Sequence, residues 1–243
     1  MPAVDMLKGL NTQAMGWLQH SGTFDATADF LIDALTIHSY FFFNENDTRA
    51  LLAILTGPWA VSKFQQVLVG EDDTDPLQFV RLIIAFAEFS VKGIATKPGN
   101  VHVATLMQMM HGMLTAPGYP VVEDEMSPQT FEFWSSLVEH LLDSESEQDQ
   151  TRISASLTEG KRHVFQAIQE YWAKIKIPPS AVADTWSKDS REGFTSFRKD
   201  FADLLETSYP LLHAPLFTKF VAHILNSLSA RDWEASTQCF PLV

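Results

Sequence analysis

The chain has 243 residues, 46% of them hydrophobic, and carries 30 acidic against 17 basic side chains for a formal net charge of −13. The apolar content excludes a disordered chain and suffices for one large domain or two small ones. The acidic balance excludes a general nucleic-acid binder, since phosphate contacts need a surplus of Lys and Arg, and the single cysteine, Cys239, excludes an internal disulfide or a Cys-rich zinc site and fits a reducing compartment.

In chain order, the first helix is predicted over residues 3–19, with Leu7, Leu10, Ala14 and Trp17 on one face, and Ser21-Gly22 ends it. No positively charged leader with an apolar run follows Met1, so no secretory signal is expected. A second helix over 25–42 aligns Ala28, Leu31, Leu35, His38 and Phe42, and its end, Tyr40 to Phe43, is four aromatics in a row. One stripe cannot hold four, so some meet a neighbouring element or a ligand, and the core reading is preferred. Residues 44–47 form a polar capping turn for a helix to Leu55, stopped by Gly57-Pro58, and a further helix over 59–69 brings Trp59, Phe64 and Leu68.

The acidic loop 70–75 follows, and Asp75-Pro76 opens a helix to about residue 94 that is apolar on two faces. Leu77, Val80, Ile84, Ala87 and Val91 make one face; Phe79, Ile83 and Phe86 make the other, as in a helix sandwiched between layers. Its most apolar window, 82–95, carries Glu88 and Lys92 and is shorter than the roughly 20 residues a membrane span needs, so no membrane partner is expected and the chain reads as soluble and intracellular. Residues 97–100 break the chain and Asn100 caps a helix to Leu114 bearing Met107, Met109, Met110 and Met113. Dense methionine suits an adaptable contact surface or an irregular core, and the core reading is preferred.

The stretch 118–142 joins an acidic loop to a helix with Ser127 as N-cap, Pro128 at its first position, and Phe131, Trp134, Val138 and Leu141 on one face. Residues 143–150 are acidic and aperiodic, a solvated loop. A long helix over 154–175 aligns Val164, Ile168, Tyr171 and Ile175 before Pro178-Pro179 ends it. The helix over 187–205 aligns Phe194, Phe197, Phe201 and Leu204, and its partner over 215–228 uses Phe217, Val221, Ile224 and Leu228. Residues 230–243 lose the pattern and read as an irregular C-terminal tail, a truncation.

About ten helices in antiparallel pairs, no convincing strand and short links indicate an all-α chain. Two helices with their links take the ~40 to 47 residues of a HEAT-type repeat, so residues 1–229 read as an α-α superhelix, a HEAT/ARM-like solenoid segment, with a compact bundle as the competitor.

Chemistry-bearing motifs are missing. The eight histidines, at 20, 38, 102, 111, 140, 163, 213 and 223, include no pair three or four apart, which a helical metal site needs. Phosphate-loop, dinucleotide and nucleophile-elbow patterns are absent. Asp72, Asp73 and Asp75, like Glu123, Asp124 and Glu125, read as loop carboxylates solvated by water rather than as acid–base pairs. No catalytic, cofactor-binding or metal site is expected, and the chain reads as a non-enzyme.

Two stretches resemble the karyopherin-β (importin-β) superfamily of nuclear transport receptors, most closely its importin-13 and transportin-3 branch. The first is Gly118-Tyr119-Pro120, the acidic loop, and Phe131 to Trp134, similar to the family's tyrosine-proline loop leading into a phenylalanine-tryptophan helix. The second is Glu192, Phe194, Phe197, Arg198, Asp200, Asp203 and Leu204, similar to a helix pattern of that branch with two aromatics, an arginine and paired aspartates. The resemblance covers most of the chain to about residue 230. It implies a segment of an importin that carries protein cargo between cytoplasm and nucleus, binds phenylalanine-glycine nucleoporins, and is governed by the GTPase Ran through amino-terminal repeats with no counterpart here.

Within that reading, Asp72, Asp73 and Asp75 are candidates to face basic cargo, and Arg198, Asp200 and Asp203 read as a structural polar network between paired helices. Two rivals stand beside it. One is a helical scaffold or adaptor with no transport role; the other is an all-α enzyme with a pocket among the aromatics at 40–43 and the methionines at 107–113.

Overall fold

The computed structural model describes residues 2–37, 43–70, 76–146 and 150–229. Among the described residues there are α-helices, one 3-10 turn and an isolated bridge between Pro120 and Asp124, but no strand, so the all-α expectation holds. None of the described helices is long and apolar enough to cross a membrane. The chain divides into two compact units, residues 1–113 and 114–243.

The first unit contains α1 (Pro2–Trp17), α2 (Phe24–Thr36), α3 (Glu45–Leu55), α4 (Pro58–Val69), α5 (Pro76–Phe89), α6 (Val91–Thr96) and α7 (Val101–Leu114). Consecutive helices pack on one another, α1 on α2 and α3 on α4, while α5 is packed against both α2 and α4. This position explains its composition: Phe79, Val80, Leu82, Ile83, Ile84, Phe86 and Ala87 are all buried, on both of the faces expected. Burying each of these side chains other than Ala87 contributes roughly 1.5–3 kcal/mol.

Local signals set the ends. Asn44 accepts from the N–H groups of Asn46 and Asp47 at 2.8 and 3.1 Å, and Asp47 accepts in return from the Asn44 N–H at 3.3 Å, a reciprocal capping box that starts α3. Gly70 ends α4 at φ +72, the left-handed position that glycine occupies without a Cβ penalty. The Asn100 side chain accepts from the His102 N–H at 2.8 Å and opens α7. Met107, Met109, Met110 and Met113 are all buried, so they fill the core of this unit rather than forming a contact surface.

Two expectations are corrected here. Asn11, Ala14 and Met15 of α1 and the adjoining Leu18 are buried while Leu10 and Trp17 are exposed, so of the expected stripe Ala14 faces the core and Leu10 and Trp17 do not; the side chain of Leu7 lies outside the described residues. The long helix expected to reach residue 94 is two, because the chain bends at Ser90 between α5 and α6. His38 and residues 40–42, together with the loop carboxylates Asp72, Asp73 and Asp75, lie outside the described residues.

The second unit contains the 3-10 turn Ser127–Thr130, α8 (Phe131–Ser146), α9 (Gln150–Lys174), the single turn α10 (Ser180–Ala183) and α11 (Lys188–Ser229). Helices α8, α9 and α11 pack against each other in all three combinations. Trp134, Val138 and Leu141 from α8, Val164, Ile168 and Tyr171 from α9, and Phe194, Phe197, Phe201 and Leu204 from α11 are buried as the spacing predicts.

Two boundaries differ. Residues 143–146, expected in a solvated loop, are the last turn of α8, where Ser144 Oγ donates to the His140 carbonyl at 2.8 Å. The two expected C-terminal helices form one element kinked at His213, which stands at φ +47 and ψ −137 between Pro210 and Pro215. The kink turns the last segment so that Leu216 is buried and Phe217, expected inward, is 64% exposed. The tail 230–243 and the side chains of Ile224 and Leu228 lie outside the described residues.

Candidate functional site

The acidic loop of the second unit is folded around its own backbone. The Tyr119 carbonyl accepts from the N–H groups of Val122, Glu123 and Asp124 at 3.1, 2.9 and 3.1 Å, and the Val121 N–H returns to the Asp124 carbonyl at 2.9 Å. This turn needs Gly118, whose φ is +98 and where a Cβ would stand 2.7 Å from the Glu123 Cβ. It also forces Val121 to φ +68, a strained backbone for a β-branched residue.

Asp124 is the hub of the loop. Its side chain is wholly enclosed, accepts from the N–H groups of Met126 and Ser127 at 2.9 and 3.1 Å and from Ser127 Oγ at 2.5 Å, and receives the Lys174 ammonium at 2.6 Å. Lys174 also donates to the Ala116 carbonyl, so one cation from the last turn of α9 ties both ends of the loop. The reading of Asp124 as one more water-solvated carboxylate is therefore corrected. The expected helix cap is corrected too: Asp124, rather than Ser127, accepts the free N–H groups, and a 3-10 turn precedes α8. The useful signal in the sequence was an Asp three residues before a Ser-Pro helix start.

Aromatic side chains seat the loop. Tyr119 packs edge-on against Trp186 at 5.3 Å and Phe194 at 6.4 Å, and Arg191 holds the Trp186 carbonyl through two N–H groups. Phe131 stacks on Tyr171 at 4.3 Å and 6°. The Tyr171 hydroxyl meets Thr130 Oγ1 at 2.6 Å, and burial holds its phenol well above the usual value.

Beside this seat, α8 and α11 flank an open cleft of about 400 Å³ with Phe131 and Leu204 on its apolar side and Glu132, Asp200 and Asp203 on the other. None of these three carboxylates is ion-paired among the described residues. Partial desolvation, then the neighbouring Asp203 charge, raises the Asp200 pKa. Arg198 lies on the same helix; its Nε is buried without a hydrogen-bond partner and desolvation lowers its pKa. The arrangement suits a cationic side chain whose hydrocarbon stem lies on Phe131. Among the described residues, no group of three or more His, Cys, Asp and Glu is placed to hold a metal ion.

No family model matches the chain. It is 30% identical over 201 residues, 82% of its length, to the Importin beta-like protein kap111 of Schizosaccharomyces pombe, of which that stretch makes up 20%. It is 23% identical over 230 residues, 93% of its length, to Importin-13 of Homo sapiens and of Mus musculus, covering 23% of each. The chain thus spans about a fifth of the length of these relatives. With two independent relatives aligned along nearly all of a chain made of packed helix pairs, the chain belongs to the importin β-like (karyopherin-β) family and has its all-α, HEAT/ARM-like fold class.

Proposed function

We propose that this chain is a segment of an importin-like nuclear transport receptor, a non-enzyme that binds protein cargo and phenylalanine-glycine nucleoporins in Ran-regulated traffic between cytoplasm and nucleus. The observation that carries this reading is the match to the Importin beta-like protein and to Importin-13 along 82% and 93% of the chain. Residues 1–229 act as the HEAT-like segment. Cargo of basic character fits the net charge of −13 and the unpaired carboxylates Glu132, Asp200 and Asp203, with Asp72, Asp73 and Asp75 as a second acidic contact. Among the described residues Arg198 makes no ion pair with Asp200 or Asp203, so the polar network expected of these three is not formed and the two carboxylates are left to a partner.

Stacked helix pairs suit the task because each pair rests on its neighbours and leaves one edge of every helix free for partners. A pull-down of the purified chain on immobilised phenylalanine-glycine repeats, on a Lys- and Arg-rich peptide and on GTP-loaded Ran tests the reading. Retention by the repeats and the basic peptide is expected; no retention on either favours a helical adaptor outside nuclear traffic.

A further inference from the structure

The first unit holds a groove of about 440 Å³ between α3, α5, α6 and α7 that the transport reading does not use. Its floor is apolar: Leu52, Phe86, Phe89, Ile94 and Val103 line it, and Phe43 leans on Phe89 at 5.6 Å across one end. At its edge stand Arg49 and Lys97, both exposed, neither ion-paired among the described residues, against the single carboxylate of Glu45. On a chain with a net charge of −13 this is a local cationic rim around an oily trough.

The uncharged polar side chains of the wall are engaged with one exception. Asn44 and Asn100 cap α3 and α7, and Thr48 Oγ1 donates to the Asn44 carbonyl at 2.9 Å. Ser90 differs. Its N–H bonds the Phe86 carbonyl at 2.9 Å, but its hydroxyl is buried with no hydrogen-bond partner. A buried hydroxyl left unmatched is costly, and it marks the bend between α5 and α6 as a place where the wall is not fully satisfied.

We propose that this groove is a docking site for an extended peptide segment in which a bulky apolar side chain stands beside acidic residues. The apolar side chain enters between Phe86, Phe89 and Ile94, and the acidic neighbours face Arg49 and Lys97. Charge selects the occupant: a basic segment is repelled by the rim, and an uncharged one loses the two cations as partners. The groove belongs to the first unit and the acidic cleft to the second, and nothing in this proposal depends on the transport reading.

Gly93 supplies the cleanest test. It lines the groove on α6, and a Cβ built there meets nothing within 4 Å, so Gly93→Phe places a ring in open space without disturbing the helix. The measurement is fluorescence anisotropy of the full chain with a labelled peptide bearing Leu-Phe flanked by Asp and Glu. Control peptides carry Ala-Ala in place of Leu-Phe, or Asn and Gln in place of the acids. Binding of the first peptide is expected, with each control weaker by at least about fivefold, Arg49→Glu with Lys97→Glu weaker by roughly tenfold, and Gly93→Phe without detectable binding. Circular dichroism checks that each variant keeps its helix content. No binding of the first peptide, or equal binding by the charge-reversed or folded Gly93→Phe chain, overturns the proposal.

Discussion

Lys174 Nζ stands 2.6 Å from Asp124 Oδ2, and the carboxylate it meets is completely shut off from solvent while the lysine is 10% exposed. An ion pair so enclosed stands near balance as a whole but is expensive to break from one side, because the remaining charge is stranded. Asp124→Ala is therefore expected to destabilise the second unit by about 3–5 kcal/mol, and Lys174→Met by a similar amount. Asp124→Ala combined with Lys174→Met recovers part of the loss. Urea unfolding of the four chains checks this; single-variant losses that simply add in the double variant contradict it.

Tyr171 gives a pH dependence. Burial first, reinforced by the Asp124 charge, keeps its folded-state phenol protonated well above the ordinary 10.0. Below pH 10 both states hold the proton and the contribution is constant. Above it the unfolded chain releases the proton first, so stability falls as pH rises, by up to about 1.4 kcal/mol per pH unit. Tyr171→Phe removes that slope. Urea midpoints from pH 8 to pH 11 are expected to fall more steeply for the natural chain than for the variant, and parallel curves contradict the assignment.

Val121 and Gly193 are coupled through space. A Cβ at Gly193 would stand 2.5 Å from Val121 Cγ1, and Val121 is itself strained at φ +68. Gly193→Ala is expected to cost about 1–3 kcal/mol through the clash, and Val121→Gly to gain about 1 kcal/mol by releasing the backbone. The alanine becomes nearly harmless once Val121 is glycine. Thermal unfolding of this double-mutant cycle reads the coupling, and strict additivity rules it out.

His213, at φ +47 and ψ −137, is the sharpest backbone outlier of α11. His213→Gly is expected to raise stability by about 1 kcal/mol, and His213→Val to lower it by at least as much, because a β-branched side chain tolerates this conformation least. Opposite signs in calorimetric midpoints support a strained hinge residue; equal midpoints for both variants argue against it.

How much of this was legible in the sequence depends on whether one helix carried the information. Phe194, Phe197, Phe201 and Leu204 stand at three-four spacing on one helix, and all are buried as predicted. The stripe of α1 was misplaced because Leu10 and Trp17 are at least as apolar as the buried Ala14, Met15 and Leu18, and only neighbours in space decide which face turns inward. Asp124 was misread for the same reason: its partner Lys174 lies 50 residues away. Phe217 turned outward through a kink that periodicity cannot see. The groove of the first unit is assembled from four helices, so no single stretch announced it.

The most direct test of the transport reading is the retention of the purified chain on a column of phenylalanine-glycine repeats, compared with a column in which each phenylalanine is replaced by serine. The reading predicts retention on the first and passage through the second. Passage through both, by a chain that circular dichroism shows to be folded, contradicts it.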